Sequence, residues 1–255
     1  MLSSLKNRKK TIMTHVIDYK SQVGQDKFVL NATQFKKNGF FVEFGAQDPI
    51  QINNTYVLEK EFGWKGLMFE WDPKFSPLYE KHRSEETMFI IEDATQIDYK
   101  ELFTDAKLPY NMDYLQIDLE SGMLTPIHLL QKLDNEVLDK YKFSTVTFEH
   151  DIYCSRTNSK DNVGCAQNGW QPFDPQNFNT VREKSREIFE NRGYVCVFKD
   201  VKCSKEYNNP FEDWWVHPDL VDMNHIQNII DLNIDNFDKN DVTELAISGP
   251  HIRYE

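Results

Sequence analysis

Acidic side chains and one histidine follow the ends of several short apolar runs in this sequence. Such groups can accept a proton from a substrate, hold a divalent cation or bind a positively charged ligand. Each alone fits a strand that gives way to a solvated loop, but a row of carboxylates at one edge would repel itself unless a cation offset it. The residues are Glu43, Glu70, Asp72, Glu92, Asp93, Asp118, Glu120, Glu149, His150 and Asp151.

The apolar runs that carry these residues alternate with helical patterns, which is typical of a parallel sheet with crossover helices. Several runs are apolar nearly throughout, as expected of strands covered on both faces. We therefore predict an α/β fold with a mostly parallel sheet, in which ligands bind outside the carboxyl ends of the strands. The predicted strands are 40–46, 66–71, 87–92, 113–119, 144–148 and 194–198, with 211–216 as a candidate seventh.

Helices are predicted between these strands. Apolar stripes at helical spacing cover 75–82 and 178–189. A further helix is expected to run to residue 62, with Asn53 or Asn54 as its amino-terminal cap and Gly63 at its end.

The turn after the first predicted strand reads Gly45-Ala46-Gln47-Asp48-Pro49. The pyrophosphate of a dinucleotide needs the close backbone approach of a G-x-G-x-x-G turn, and Asp48 would repel it. S-adenosylmethionine carries an ammonium and a sulfonium but no phosphate, so it tolerates nearby carboxylates. The turn therefore favours S-adenosylmethionine over a nicotinamide dinucleotide as the cofactor.

Positions along this edge suggest how such a cofactor would lie. Glu70 is expected to accept hydrogen bonds from the ribose hydroxyls, as the acid after the second strand does in nucleotide-binding folds. Asp93 and Ala94 are expected to flank the adenine, and Glu43 and Asp118 to face the methionine end. The candidate cofactor-binding residues are Gln25, Asp26, Glu43, Gly45, Ala46, Asn54, Thr55, Glu70, Trp71, Asp93, Ala94 and Asp118. Gln25 and Asp26 precede the first strand, where they either close over the cofactor or cap a leading helix.

Segments spread over about residues 21–217 carry a family pattern, namely 21–26 (SQVGQD), 39–46 (GFFVEFGA), 54–59 (NTYVLE), 64–70 (WKGLMFE), 113–120 (DYLQIDLE), 148–151 (FEHD) and 211–216 (FEDWWV). These segments resemble the FkbM-type methyltransferases. The resemblance implies a Rossmann-like class I methyltransferase fold, with a seven-stranded sheet and helices on both faces. It also implies methyl transfer to a hydroxyl oxygen of a sugar or polyketide-like product. The chain departs from the family pattern at Ser121-Gly122-Met123.

Methyl transfer to an alcohol requires a base or a metal ion, because a hydroxyl is a poor nucleophile near neutral pH. His150 is the first candidate base, since its ordinary pKa suits proton abstraction and it follows the fifth predicted strand. The alternative uses Asp118, Glu149 and Asp151 as oxygen ligands of a divalent cation such as Mg²⁺. The candidate catalytic residues are therefore His150, Asp118 and Glu149.

Composition limits the remaining function classes. The chain has 255 residues, enough for one sizeable core, and its formal net charge of -12 argues against nucleic acid as the main ligand. No stretch approaches the roughly eighteen consecutive apolar residues of a membrane span, so we expect a soluble, cytoplasmic protein without a membrane partner. The four cysteines lack CxxC spacing and are expected to be reduced thiols: Cys154, Cys165, Cys196 and Cys203.

The expected organisation is a leader at 1–20, a methyltransferase domain at 21–230 with a lid-like insertion at about 152–176, and a tail at 231–255. The tail is either an arm of a homodimer or a loose end. The predicted partner is a small-molecule or glycan acceptor. Two other functions stay open: a non-catalytic binding or scaffold protein that retains the cofactor fold and, opposed by Asp48, a nicotinamide-dependent oxidoreductase.

Overall fold

The computed structural model describes residues 17–155, 173–202 and 209–232. These residues form a seven-stranded sheet of order β3-β2-β1-β4-β5-β7-β6, in which β1 to β5 are parallel and β7 runs antiparallel to both β5 and β6. The predicted α/β fold and the candidate seventh strand are confirmed. The strands are β1 (Phe40–Phe44), β2 (Lys65–Glu70), β3 (Met88–Ile91), β4 (Asn111–Ile117), β5 (Lys142–Glu149), β6 (Val195–Lys202) and β7 (Pro210–Val216).

Helices cover both faces of the sheet, as predicted. The core on one face includes residues of α1, α2, α3 and α7, and the core on the other face includes residues of α4, α5 and α6. The helices are α1 (Gln25–Ala32), α2 (Tyr56–Phe62), α3 (Ser76–His82), α4 (Tyr99–Asp105), α5 (Thr125–Glu136), α6 (Pro175–Asn191) and α7 (Met223–Leu232). Short 3-10 turns lie at Pro73–Phe75, Ser121–Met123 and Ile152–Ser155.

The ends of α2 show one prediction confirmed and one corrected. Gly63 ends the helix in the left-handed region at φ 68°, which suits a residue without a Cβ. The predicted asparagine cap is wrong, because the helix begins after Thr55, whose side chain makes no capping hydrogen bond. Asn53 instead accepts a hydrogen bond from the backbone N–H of Thr55 at 3.1 Å. The asparagine thus shapes the loop that leads into the helix.

Two tryptophans on β7 show how the sheet separates its two cores. Trp214 is stacked on Phe28 of α1, with ring centroids 5.0 Å apart. Trp215 lies 5.3 Å from Phe189 of α6 on the opposite face. Both indoles are buried. Both residues therefore pack in a core, on opposite faces, in keeping with the alternation of side chains along a strand.

Several sequence-based predictions concern residues at the margins of the described ranges. Cys154 forms a disulfide bond and Cys196 is a free thiol, so the prediction of four reduced thiols is wrong for Cys154.

The greater part of the predicted leader, of the lid-like insertion and of the tail lies outside the described residues, as do Cys165 and Cys203. No helix in the described ranges is long and apolar enough to cross a membrane.

Candidate functional site

The turn after β1 packs directly onto the end of β4. Gly45 has φ 80°, and a Cβ at this position would lie 1.8 Å from the backbone oxygen of Asp118. The backbone N–H groups of Gly45 and Ala46 both donate to the carbonyl of Phe69 on β2, at 3.0 and 3.1 Å. Only glycine fits here, because both the left-handed φ and the close approach exclude a side chain. The ends of three neighbouring strands therefore meet at this turn.

Glu70, the predicted ribose ligand, ends β2 beside this turn. Its Oε2 accepts the backbone N–H of Gln47 at 3.0 Å, and its Oε1 accepts those of Trp71 and Asp72 at 2.9 and 3.0 Å. A carboxylate oxygen can accept two hydrogen bonds, so Oε2 retains the capacity for one more. The carboxylate is thus held in place by backbone groups. The neighbouring Trp71 side chain is 77% exposed.

Glu43 lies in the middle of a buried polar network. Its Oε2 accepts hydrogen bonds from the Thr55 hydroxyl at 2.7 Å and from the Asn53 amide at 3.5 Å. Burial raises the pKa of Glu43 to about 7, although the nearby Arg83 guanidinium opposes this. The side-chain Oδ1 of Asn54 is buried and accepts no hydrogen bond from the described residues. Glu43, Asn54 and Thr55, all predicted cofactor ligands, therefore lie together.

Arg83 links this network to α2, and sequence reasoning missed it. Its Nε donates to Glu59 at 3.0 Å, in an ion pair whose side chains are both almost completely buried. Its two Nη atoms donate to Asn53 Oδ1 at 3.1 Å and to Thr55 Oγ1 at 3.0 Å. No local pattern marks Arg83, since its partners lie 24 to 34 residues away in sequence.

Three predicted acids at the ends of β4 and β5 form one cluster, which we call the carboxyl cluster: Asp118, Glu149 and Asp151. The Glu149 carboxyl lies within hydrogen-bonding reach of the other two. Burial raises the pKa of Asp118 to about 6 and that of Asp151 to about 7. Burial, together with the charges of its two neighbours, raises the pKa of Glu149 well above its ordinary value. All three residues are only partly buried.

Further polar groups border the carboxyl cluster. The charges of Glu70 and Glu120 contribute to the raised pKa of Asp118. The Ser121 hydroxyl lies beside Asp151 and is completely buried, yet it makes no hydrogen bond of normal geometry within the described ranges. The cluster therefore combines several negative groups with one unsatisfied polar atom.

Glu212 is an acid to which sequence reasoning assigned no role. It lies on β7 opposite Glu149, and its Oε1 accepts the indole N–H of Trp214 at 2.7 Å. Burial raises its pKa well above the ordinary value, and the Gln25 side chain also hydrogen-bonds to it. Two consecutive acids, Glu212 and Asp213, inside a buried strand are a signal that sequence reading could have used.

His150 lies on the other face of the sheet from Glu149. Its Nδ1 accepts the backbone N–H of Ile152 at 3.2 Å, and the residue is completely buried. Its Nε2 lies 3.5 Å from Asp213 Oδ1 and 3.6 Å from Asp200 Oδ1. The predicted base is therefore next to the carboxyl cluster in sequence but separated from it by the strand.

His150, Asp200 and Asp213 could hold a metal by distance alone, because one ligand atom of each lies within 4.8 Å of the others. The Arg186 guanidinium of α6 already donates to both Oδ1 atoms, at 3.0 Å for Asp200 and 2.8 Å for Asp213. Burial opposes ionisation of Asp213, but His150 and Arg186 hold its pKa well below the ordinary value. Arg186 supplies the positive charge that a metal would otherwise provide.

The remaining predicted ligands have local partners. Asp26 accepts four hydrogen bonds, from the Ser21 hydroxyl and from the backbone N–H groups of Lys20, Ser21 and Lys27. It thereby ties the preceding residues to the start of α1. Asp93 is exposed after the edge strand β3, and its Oδ1 accepts two bonds from Thr95. Ala94 is buried.

A cavity of about 580 Å³ lies away from these residues, at the edge where β4 and β5 begin. Lys100, Lys107 and Lys140 line it together with Tyr110 and Tyr141. Ligands of open parallel sheets bind at the opposite, carboxyl edge. The cavity is therefore separate from the candidate site.

The fold resembles those of solved methyltransferase structures. A protein from Klebsiella pneumoniae that is assigned as an O-methyltransferase shares 13% sequence identity, with a TM-score of 0.50 over 80% of this chain and 84% of that chain. An O-methyltransferase from Bacillus cereus in complex with SAH gives 13% identity and a TM-score of 0.49, over 80% and 84% of the two chains. Aeropyrum pernix fibrillarin with bound S-adenosyl-L-methionine gives 12% and 0.43, over 78% and 75%.

Comparisons with protein-family models and with curated proteins give no match. The likeness to the Klebsiella protein is a likeness of fold, at low sequence identity. The chain therefore has the Rossmann-like fold of class I methyltransferases, with a mostly parallel seven-stranded sheet and the candidate site at its carboxyl edge.

Proposed function

We propose that this protein is an S-adenosylmethionine-dependent methyltransferase of the FkbM type, which methylates a hydroxyl group of a sugar, glycan or other small molecule. The observation that carries the proposal is the carboxyl cluster, which lies beside the glycine turn and Glu70 at the edge where parallel sheets bind ligands. A group of half-buried acids without a described cationic partner favours a cationic ligand. S-adenosylmethionine meets this requirement.

The residues at the edge fit this cofactor. Glu70 would receive the ribose hydroxyls through the free capacity of Oε2, and Gly45 lets the backbone approach closely. The unsatisfied Oδ1 of Asn54 offers an acceptor for a donor group of the ligand. Asp118 would lie near the positive methionine end. When bound, S-adenosylmethionine supplies an electrophilic methyl group.

The carboxyl cluster can also take the proton that the acceptor hydroxyl must lose. A base works best when its pKa lies near the operating pH, and the pKa values of Asp118 and Asp151 are about 6 and about 7. The same carboxylates are of the ligand type that a divalent cation such as Mg²⁺ prefers, although their oxygens do not all lie within 4.8 Å of one another. Calorimetric titration of Mg²⁺ into chelator-treated protein separates these roles. Binding that is lost in Asp151→Asn supports the metal, and absence of binding leaves the carboxylate base.

The experiment that tests the proposal is thermal unfolding with S-adenosylmethionine, its demethylated product or NAD. A ligand that binds only the folded state at about 100 times its Kd raises the unfolding free energy by about 2.7 kcal/mol. We expect stabilisation by the first two and none by NAD. Stabilisation by NAD alone would contradict the proposal and favour an oxidoreductase.

A matched pair of variants locates the binding. Glu70→Gln keeps one oxygen acceptor, which can take the N–H groups of Trp71 and Asp72, but replaces the oxygen that accepts from Gln47 with an NH2 group and removes the charge, so we expect weaker S-adenosylmethionine binding by calorimetry. Glu80→Ala on the exposed side of α3 is the control and should bind like the wild type. Unchanged affinity in Glu70→Gln removes the ribose assignment. Cofactor binding without methyl transfer in a broad acceptor screen would favour the non-catalytic binding protein.

A further inference from the structure

The hydrogen bonds of His150 determine where its proton lies. The backbone N–H of Ile152 points at Nδ1 from 3.2 Å, so Nδ1 must be an acceptor without a proton. In the neutral ring the proton is then on Nε2, between the oxygens of Asp213 and Asp200 at 3.5 and 3.6 Å. A general base needs a free lone pair within reach of its substrate. His150 has none, and it is completely buried.

The same ring stabilises the turn that carries the carboxyl cluster. Asp151 is in the left-handed region at φ 47°, which is unfavourable for a residue with a side chain. The N–H groups of His150 and Asp151 both donate to the carbonyl of Phe211, at 2.7 and 2.9 Å, and that of Ile152 donates to the imidazole. Three consecutive N–H groups are therefore fixed. Repulsion between Glu149 and Asp151 acts against this arrangement.

The partners of the imidazole are themselves held firmly. Arg186 binds both carboxylate oxygens of Asp213, at 2.7 and 2.8 Å, and Asp200 at 3.0 Å. The backbone N–H of Asp200 also donates to Asp213 at 2.7 Å. His150 thus packs with its Nε2 against a network that joins β6, β7 and α6, and Nε2 makes no hydrogen bond of normal geometry to the described residues.

We propose that His150 is a positioning residue rather than the base: its imidazole, in the Nε2–H tautomer with Nε2 facing Asp213, accepts the Ile152 N–H and so holds the left-handed turn at Asp151 and the arrangement of the carboxyl cluster. The inference rests on the proposed function for the reaction that the cluster serves. Glu149 lies within hydrogen-bonding reach of Asp118, so a shift of the turn also disturbs the acid expected beside the methionine end.

The first test is nitrogen NMR of the histidine rings in the wild-type protein at pH 7. We expect His150 to carry its proton on Nε2 and none on Nδ1. A proton on Nδ1, in either a neutral or a charged ring, would overturn the proposal. This measurement needs neither cofactor nor acceptor.

The second test compares His150→Ala with His150→Asn, whose side-chain oxygen can accept the Ile152 N–H as Nδ1 does. We expect His150→Ala to lose protection of the Ile152 amide from hydrogen exchange and to bind S-adenosylmethionine about tenfold more weakly, the effect of one lost interaction. His150→Asn should restore both. Equal loss of amide protection in the two variants, or a retained cofactor affinity in His150→Ala, would refute the positioning role.

His217 provides the matched control, because its Nδ1 likewise accepts a backbone N–H two residues on, from Asp219 at 3.2 Å. Because β7 runs antiparallel to β5, His217 lies at the edge of the sheet opposite the carboxyl cluster. His217→Ala should therefore leave cofactor affinity unchanged. If the wild-type protein binds no S-adenosylmethionine, the proposed function fails. The tautomer and the exchange of Ile152 still decide whether His150 holds the turn.

Discussion

Two groups of charged residues lie on opposite faces of the sheet at the end of β5, and they differ in charge balance. On one face, Asp213 and Asp200 are matched by the two guanidinium groups of Arg186 and Arg182. On the other face, the carboxyl cluster contains only acids, and their pKa values are raised. The first group has as many positive as negative side chains, so it needs no further cation. The second group is partly exposed and has no described positive partner, which favours protonation or a cationic ligand. This difference supports our proposal that the first group stabilises the structure and the second binds a ligand.

The largest expected effect comes from breaking the balanced network. Arg186→Met leaves Asp213 buried without its main partner, and loss of one member of a buried pair costs about 3–5 kcal/mol. Urea unfolding at pH 7 should show this loss. Lys142→Met is the control, because its exposed pair with Asp219 is worth at most about 1 kcal/mol. Equal losses in the two variants would show that the Arg186 network is not a structural anchor.

A smaller loss is expected from Gly45→Ala. The new Cβ would overlap the Asp118 carbonyl at 1.8 Å, so the turn must move as well as keep an unfavourable φ. Gly193→Ala is the control, with a similar φ of 82° but no atom closer than 4.0 Å, and should cost about 1–2 kcal/mol for the backbone alone. Gly45→Ala should lose more in urea unfolding and weaken S-adenosylmethionine binding. Equal effects would mean that the close contact with Asp118 does not matter.

The unbalanced group should give stability a distinctive pH dependence. Asp118 and Asp151 have folded-state pKa values of about 6 and about 7, above those of the unfolded chain, so the folded state binds more protons between about pH 4 and 7. Their contribution to stability therefore falls as the pH rises through 6 and 7. Urea unfolding at pH 5 and pH 8 should show less of this decline in Asp151→Asn than in the wild type. An equal decline would show that Asp151 titrates normally.

The fold could be predicted from the sequence because each strand is a short apolar run bounded by polar residues. Parallel pairing then brings acids such as Glu70 and Asp118 to one edge. The ion pairs could not be predicted, since the partners of Arg83 and Arg186 lie on other elements. The surroundings of His150 could not be predicted for a similar reason. Its position after β5 is visible in the sequence, but the face it occupies and the bond to Ile152 depend on a turn with a left-handed Asp151.

The central claim is that the carboxyl cluster recognises positive charge, and one comparison tests it directly. S-adenosylmethionine carries a sulfonium, whereas its demethylated product has a neutral sulfur of nearly the same shape. Calorimetry with both ligands at pH 5.5 and at pH 8, which lie below and above the pKa values of Asp118 and Asp151, should show a preference for the sulfonium that grows as these carboxyls ionise and shrinks in Asp118→Asn. A preference that is absent, or equal at both pH values and in the variant, would contradict the account.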